Sequence, residues 1–119
     1  MPDDTEHAPA RDPQDLERLL VARQWAGDVA GMVALYEPDA VIDCGDGEML
    51  RGRAAIGAYF AALTATGRKF QQGKQRPAVV SGDLALTSTG LPDGCVTSEV
   101  ARRQSDGTWL WVIDKFTVA

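Results

Sequence analysis

Apolar positions recur at helical spacing in three segments of the first part of the chain. The first segment follows Asp12-Pro13, where an acidic N-cap and a proline at the first helical position favour a helix over about 13–26. The other two segments predict a short helix over about 28–37, which Pro38 ends, and a third helix over about 52–67. The apolar positions that share this spacing are Leu16, Leu19, Leu20, Val29, Met32, Val33, Tyr36, Ile56, Tyr59, Phe60 and Leu63.

The last third of the chain alternates short extended runs with pairs of turn-forming residues. The runs lie at about 70–80, 84–91, 95–104 and 108–118. They predict a four-stranded antiparallel meander, and residues 40–51 predict a small hairpin before the third helix. Helices grouped first and strands grouped last indicate an α+β domain in which the helices cover one face of the sheet.

Composition limits the classes of protein to which the chain can belong. Its 119 residues suit one domain, and 45% of them are apolar. No apolar run approaches the roughly 20 residues that cross a bilayer. The net charge of -5 disfavours nucleic acid, which is a polyanion. We therefore expect neither a membrane nor a nucleic acid as a partner.

The first eleven residues differ in composition from the rest. They include three acidic residues, two prolines and no apolar periodicity, so we expect a disordered tail over 1–11 and one domain over 12–119. A secretory signal would begin with basic residues and continue with an apolar stretch, whereas this segment is acidic and polar. The expected location is therefore the cytoplasm.

Residue types that bind metals are few in this chain. Cys44 and Cys95 show no C-x-x-C or other metal spacing, and His7, the single histidine, lies in the predicted tail. We predict no metal site. Because no histidine or lysine is placed to lower the pKa of Cys44, we interpret it as a small buried thiol and not as a nucleophile.

The last predicted hairpin places two carboxylates opposite each other. If Asp106-Gly107 is a two-residue turn, Glu99 pairs with Asp114 on a largely apolar face. Burial and mutual repulsion would raise the pKa of a carboxyl group there, which suits general acid–base catalysis. The alternative is that this face is solvated, where acids are common. The other residues that this register places on the same face are Thr97, Ala101, Val112 and Phe116.

The opposite face of the same hairpin carries large apolar side chains, namely Val100, Trp109, Trp111 and Ile113. One face of the sheet is assigned to the helices, so apolar residues on the other face predict a subunit interface. The alternative is a register that differs by one residue, which would turn these side chains into the core.

Several short segments resemble the SnoaL-like branch of the nuclear transport factor 2-like superfamily, which includes ketosteroid isomerase, scytalone dehydratase and limonene epoxide hydrolase. The segments are 24–28 (QWAGD), 36–41 (YEPDAV), 51–56 (RGRAAI), 82–86 (GDLAL) and 102–109 (RRQSDGTW). The resemblance covers about residues 13–118. It implies a cone-shaped, strongly curved antiparallel sheet wrapped around three helices, with an apolar pocket inside, and members of the superfamily commonly dimerise through the outer face of the sheet.

The resemblance also assigns roles to individual positions. Asp114 has the position of the catalytic aspartate of SnoaL-type cyclases, and Glu99 that of the oxyanion-hole aspartate of ketosteroid isomerase. The chain departs from the isomerase pattern at Leu20, where that family has a tyrosine, and at Cys44, where it has the general base. Thr97 replaces the bridging arginine of limonene epoxide hydrolase. Steroid isomerisation and epoxide hydrolysis are therefore disfavoured.

These observations predict a SnoaL-like homodimer that binds a small, largely apolar molecule. The expected activity is cofactor-independent proton transfer next to a carbonyl, as in isomerisation, cyclisation or dehydration of a polyketide-like substrate, with Asp114 and Glu99 as the catalytic pair. The alternatives are a non-catalytic binding or carrier domain and a dimerisation module. The residues predicted to line the substrate pocket are Leu20, Tyr36, Ile42, Cys44, Tyr59, Phe60, Thr97, Ala101, Val112 and Phe116.

Overall fold

Three helices and eight strands make up residues 8–118, which are the residues that the structure, a computed structural model, describes. The helices are α1 (Asp15–Trp25), α2 (Val29–Val33) and α3 (Gly52–Ala65). The strands are β1 (Tyr36–Asp43), β2 (Met49–Arg51), β3 (Lys74–Gln75), β4 (Val79–Ser81), β5 (Leu84–Thr87), β6 (Thr89–Gly90), β7 (Ser98–Arg103) and β8 (Trp109–Lys115). None of the described helices is both long enough and apolar enough to cross a membrane.

Six strands form one curved sheet in the order β2-β1-β8-β7-β5-β4, and β3 pairs with β6 in a separate small sheet. The predicted α+β class is confirmed. The main sheet is mixed and not fully antiparallel, because β1 runs parallel to β8. This parallel pairing places β1 beside the last strand and so joins the first half of the chain to the meander.

The second helix is shorter than the sequence pattern predicts. It begins at the N-cap Asp28, whose Oδ1 accepts a hydrogen bond from the Gly31 backbone N–H at 2.9 Å, and it ends at Val33. Tyr36 therefore belongs to β1 and not to a helix. Pro38 also lies in β1, within the irregular part of the β1–β8 pairing, where its missing N–H leaves no regular ladder bond unmade.

The β7–β8 hairpin contains two irregularities that cancel. Its turn has three residues and not two, because Arg103 pairs with Trp109 and the Gln104 N–H donates to the Thr108 oxygen at 2.7 Å. A bulge beside Val112 then shifts the register back by one residue. Beyond the bulge, Glu99 pairs with Asp114 and Val100 with Ile113, as the sequence predicts.

The tryptophans of β8 lie in the core and not on the outer face. Between the turn and the bulge, the three-residue turn reverses the orientation of each β8 side chain relative to the prediction. Trp109 and Trp111 are consequently buried, and the Trp111 ring packs 5.1 Å from the Tyr36 ring, centroid to centroid. The assignment of these two residues to a subunit interface is wrong, and the alternative of a register slip is correct for them.

The segment before α1 is attached to the sheet. Ala10 is buried and bridges to Trp109, whose backbone N–H donates to the Ala10 oxygen at 2.8 Å. The buried Arg23 guanidinium donates to the Ala8 oxygen at 2.8 Å. The domain therefore begins before Asp12, and the part of the predicted tail over 1–7 lies outside the described residues.

Candidate functional site

A cavity of about 420 Å³ opens between α1, α3 and the inner face of the main sheet. Two segments border it, 68–71 after α3 and 91–95 before β7. Its volume lies in the range typical of small-molecule sites. The cavity is lined by Glu17, Leu20, Cys44, Tyr59, Leu63, Arg68, Lys69, Phe70, Gln71, Leu91, Pro92, Asp93, Cys95, Thr97, Glu99, Asp114 and Phe116.

Asp114 is a buried carboxyl group held by a tyrosine. The residue is only 3% exposed, and the hydroxyl of the buried Tyr36 donates a hydrogen bond to Oδ2 at 2.6 Å. Burial raises the pKa of Asp114 well above its ordinary value, and the charge of Glu99 raises it further, while the Tyr36 hydrogen bond opposes the shift. Burial therefore favours the neutral, protonated form of Asp114.

Glu99 faces Asp114 across the β7–β8 pair and is equally buried. Its Oε1 accepts a hydrogen bond from the Thr87 hydroxyl at 2.8 Å. Burial raises the pKa of Glu99, and hydrogen bonds from Thr97 and Thr87 lower it in part. The same strand pair thus supplies two carboxyl groups whose environments differ, one held by a tyrosine and one by threonines.

Glu17 adds a third carboxyl group that the sequence pattern did not single out. It lies in the first turn of α1, partly buried, and makes no hydrogen bond to any other residue that the structure describes. Burial, followed by the charge of Glu99, raises the pKa of Glu17 to about 7. The sequence does place Glu17 three residues before Leu20, on the apolar stripe of α1. Acids are, however, common in the first turn of a helix, where they interact favourably with the helix dipole, so this position did not stand out.

Apolar and aromatic side chains form the walls above these acids. Tyr59 of α3 packs 6.0 Å from Phe116, centroid to centroid, and Leu20 closes the α1 side. Cys44 also lines the wall, and burial raises the pKa of its thiol, so it is not a thiolate. The cavity consequently combines an acidic floor with largely apolar walls.

The structure brings most of the predicted site residues to the cavity. The residues that line it are Leu20, Cys44, Tyr59, Thr97, Glu99, Asp114 and Phe116. The predicted pocket residues that do not line it are Tyr36, Ile42, Phe60, Ala101 and Val112. The first four of these pack in the core behind the cavity, and Val112 is displaced to the bulge. Besides Glu17, the residues of the two bordering segments, including Cys95, line the cavity although no sequence pattern predicted them there.

The outer face of the main sheet carries a row of apolar side chains, here called the outer row. The row crosses five strands through paired positions and consists of Val79, Leu86, Val100, Ile113 and Val41. Val100 and Ile113 therefore lie on the face where the sequence predicts them, and Ile113 is 50% exposed. Among residues 8–118, no His, Cys, Asp and Glu side chains are grouped as a set of three or more metal ligands.

Solved structures with the same fold include proteins of different descriptions. A candidate calcium/calmodulin-dependent protein kinase type II association domain from Thiobacillus denitrificans is 20% identical, with a TM-score of 0.74 over 91% of this chain and 95% of that chain. A candidate dehydratase of the nuclear transport factor 2-like family from Streptomyces avermitilis is 18% identical, with a TM-score of 0.68 over 86% of this chain and 90% of that chain.

A nuclear transport factor 2-like protein with a cystatin-like fold from Novosphingobium aromaticivorans is 22% identical, with a TM-score of 0.64 over 85% of this chain and 75% of that chain. No curated protein gives a significant sequence match. The family model of the SnoaL-like domain matches residues 16–119, which is most of the chain and includes every cavity-lining residue. The chain therefore belongs to the SnoaL-like domain family and has the nuclear transport factor 2-like fold.

Proposed function

We propose that this domain is a cofactor-independent acid–base catalyst that acts on a small, largely apolar carbonyl compound. The observation that carries the proposal is that Glu17, Glu99 and Asp114 line one cavity together with apolar walls. Their pKa values are all raised, by burial above all. Titratable groups in one cavity with shifted and unequal pKa values are typical of acid–base sites.

The different environments of these groups divide the roles. A carboxyl group with a pKa of about 7 is substantially ionised at neutral pH, so Glu17 acts as the base that removes a proton from the carbon next to the carbonyl. The C–H electron pair then forms the enol double bond. The carbonyl oxygen takes a hydrogen bond or a proton from protonated Asp114, which Tyr36 positions.

The fate of the enol decides the reaction class. Return of the proton to another carbon gives isomerisation, loss of a β-hydroxyl group as water gives dehydration, and attack of the enol carbon on a second carbonyl gives cyclisation. Glu99 lies opposite Asp114 and can orient the same oxygen. The polyketide-like compounds expected from the sequence offer carbonyl groups suited to each of these steps.

The shared first step can be tested without the natural substrate. Incubation of α-tetralone with the protein in D₂O, followed by NMR, measures the exchange of the proton next to the carbonyl. We expect the wild type to accelerate exchange, and Glu17→Gln and Asp114→Asn each to lower the rate by about 100- to 10,000-fold. Both variants keep the shape of the side chain and can still form hydrogen bonds.

The matched control is Asp39→Asn, because Asp39 is an exposed strand acid outside the cavity. This variant should exchange at the wild-type rate. If the wild type and all three variants exchange at the uncatalysed rate, the acid–base proposal fails. A non-catalytic binding domain is then the better description, since the cavity remains suited to an apolar ligand.

We also propose that two copies of the domain pair through the outer row. The row continues across β4, β5, β7, β8 and β1 without a charged residue at the paired positions. Contiguous apolar surface of this kind is typical of interaction sites, and a second copy presents the same row. Burial of Trp109 and Trp111 in the core leaves the smaller residues Val100 and Ile113 to form the contact.

A further inference from the structure

Two basic residues lie at the border of the cavity, on the segment that follows α3. Arg68 and Lys69 line the cavity together with their neighbours Phe70 and Gln71. The acids of the floor come from α1, β7 and β8, so the two ends of the cavity differ in chemistry. One end offers the carboxyl groups of the floor, the walls are largely apolar, and the 68–69 position of the border offers cations, while Asp93 lies on the other bordering segment.

The backbone of this basic segment is fixed from behind. The fully buried Gln24 donates from Nε2 to the Arg68 oxygen at 2.7 Å, and its Oε1 accepts from the Phe70 N–H at 3.0 Å. The Trp25 indole N–H also donates to the Phe70 oxygen at 2.6 Å. Three hydrogen bonds from the end of α1 therefore hold the segment, so the basic side chains start from a defined position at the cavity.

The Arg68 guanidinium is available for a ligand. It makes no hydrogen bond or ion pair to any residue within 8–118, whereas Arg102 and Arg103 pair with Glu37 and Asp83. The Cys95 N–H, which donates to Asp93 Oδ1 at 2.9 Å, is the main cause that lowers the pKa of Asp93, and the charge of Arg68 also lowers it. A carboxylate from a ligand would thus meet a guanidinium that holds no ion pair within the described residues.

Lys69 contributes a second positive charge beside Arg68. Its Nζ donates to the Trp25 oxygen at 3.3 Å and lies 6.0 Å from the centre of the Trp25 ring. The acidic and basic side chains that line the cavity are Glu17, Arg68, Lys69, Asp93, Glu99 and Asp114. Positive charge is confined to the 68–69 position among them, which gives a bound ligand one preferred orientation.

We propose that the ligand is an amphiphilic anion, whose carboxylate lies at Arg68 and Lys69 while its apolar body fills the cavity. The reacting carbonyl or hydroxyl group then reaches the acids of the floor. This inference rests on the proposed function, since it names the substrate class of the same site. It explains why a chain of net charge -5 presents two adjacent cations at its cavity.

The test compares an acid with its uncharged ester. The probe is N-phenyl-1-naphthylamine, an uncharged dye that becomes fluorescent in apolar sites, and the competitors are decanoate and methyl decanoate. We expect decanoate to displace the dye from the wild type at about 5- to 10-fold lower concentration than the ester, as two partly solvated ion pairs permit. In the double variant Arg68→Gln, Lys69→Gln the preference should fall below about 2-fold.

Two further variants make the result specific. Arg76→Gln removes one positive charge from an exposed site outside the cavity and should keep the preference for decanoate. Leu63→Trp fills the cavity and should abolish dye binding, which places the dye inside it. Equal displacement by acid and ester, or a preference that survives in the double variant, overturns the anion inference alone. Failure of the wild type to bind the dye overturns the proposed apolar pocket and this inference together.

Discussion

The two faces of the β7–β8 hairpin reverse the usual distribution of polar and apolar residues. On the inner face, Glu99 and Asp114 are each 3% exposed, although isolated buried carboxylates are costly. On the outer face, the paired Val100 and Ile113 face outwards, and Ile113 is half exposed. Both faces belong to the same backbone and the same strand pairing, so the difference in burial comes from the surroundings of each face.

The inner acids tolerate burial because their surroundings keep them neutral or hydrogen-bonded. Tyr36 donates to Asp114, Thr87 donates to Glu99, and raised pKa values reduce the charge that must be desolvated. Nothing within one chain offsets the exposure of the apolar outer row to water in the same way. The difference between the two faces is therefore the basis of both proposals, an acid–base site on the inner face and a contact between two copies on the outer face.

The largest expected effect on stability comes from removing a core residue of β8. Trp111 is buried, so Trp111→Ala should lower the free energy of unfolding by about 3–5 kcal/mol. Ile113→Ala on the outer face should cost about 1 kcal/mol or less, because the side chain is half exposed. Urea unfolding of both variants at one protein concentration measures the difference. Equal costs would contradict the assignment of the two faces.

The second effect is a dependence of stability on pH that comes from the inner acids. Glu17 has an ordinary pKa of 4.5 and a pKa of about 7 in the fold. Between these values the folded chain binds more protons than the unfolded chain, so the free energy of unfolding falls as pH rises from about 5 to 8. Raised pKa values of Asp114 and Glu99 act in the same direction.

Glu17→Gln should therefore reduce this slope and increase stability at pH 8 by about 1–3 kcal/mol. Melting temperatures at several pH values between 5 and 8 provide the measurement. The exposed Asp39→Asn serves as the control and should keep the wild-type slope. A wild-type protein whose stability rises from pH 5 to 8 would show that the inner acids are not buried in their neutral forms.

Loss of the Tyr36 hydroxyl has a smaller but more specific effect. Tyr36→Phe removes the hydrogen bond to Asp114 and should cost about 1 kcal/mol of stability. Because that bond favours the charged form, the pKa of Asp114 should rise further in the variant. NMR titration of the Asp114 carboxyl carbon measures the shift. Tyr59→Phe, which removes a cavity-wall hydroxyl that does not bind Asp114, should leave this titration unchanged.

A substitution in the outer row should have the smallest effect on the stability of a single chain. Its effect on the proposed dimer should be large. Ile113→Lys should change the stability of the monomer by about 0.5 kcal/mol or less. It should dissociate the proposed dimer, because it places a charge in an apolar interface. Sedimentation at micromolar concentration tests this. The control is Val118→Lys, since Val118 is 49% exposed and lies outside the outer row. A monomeric wild type would remove the dimer proposal.

Much of the fold follows from local patterns in the sequence. Helical spacing predicted α1 and α3 to within a few residues, because both bury a periodic apolar stripe. The pairs of turn-forming residues in the last third of the chain predicted the meander, and these are also a local signal. The parallel pairing of β1 with β8 could not be predicted in this way, because it joins residues far apart in the chain.

The opposition of Glu99 and Asp114 was predicted from a turn that the structure does not contain. Asp106 accepts hydrogen bonds from both the N–H and the hydroxyl of Thr108, and Gly107 adopts a φ of +84°, which together favour the three-residue turn. The bulge beside Val112 then restored the predicted register. Between the turn and the bulge the prediction failed, so the tryptophans were assigned to the wrong face.

The sequence by itself determined two of the three helices and the alternation that places Glu99 and Asp114 on strands, since these depend on local spacing, and its resemblance to known proteins indicated the fold family. Only the tertiary structure decided that Tyr36 holds Asp114 and that Glu17 joins them, because β1 and α1 reach the hairpin from distant parts of the chain. Burial then set the pKa values that give these groups their chemistry. Burial is a property of the packed molecule, and no local pattern contains it.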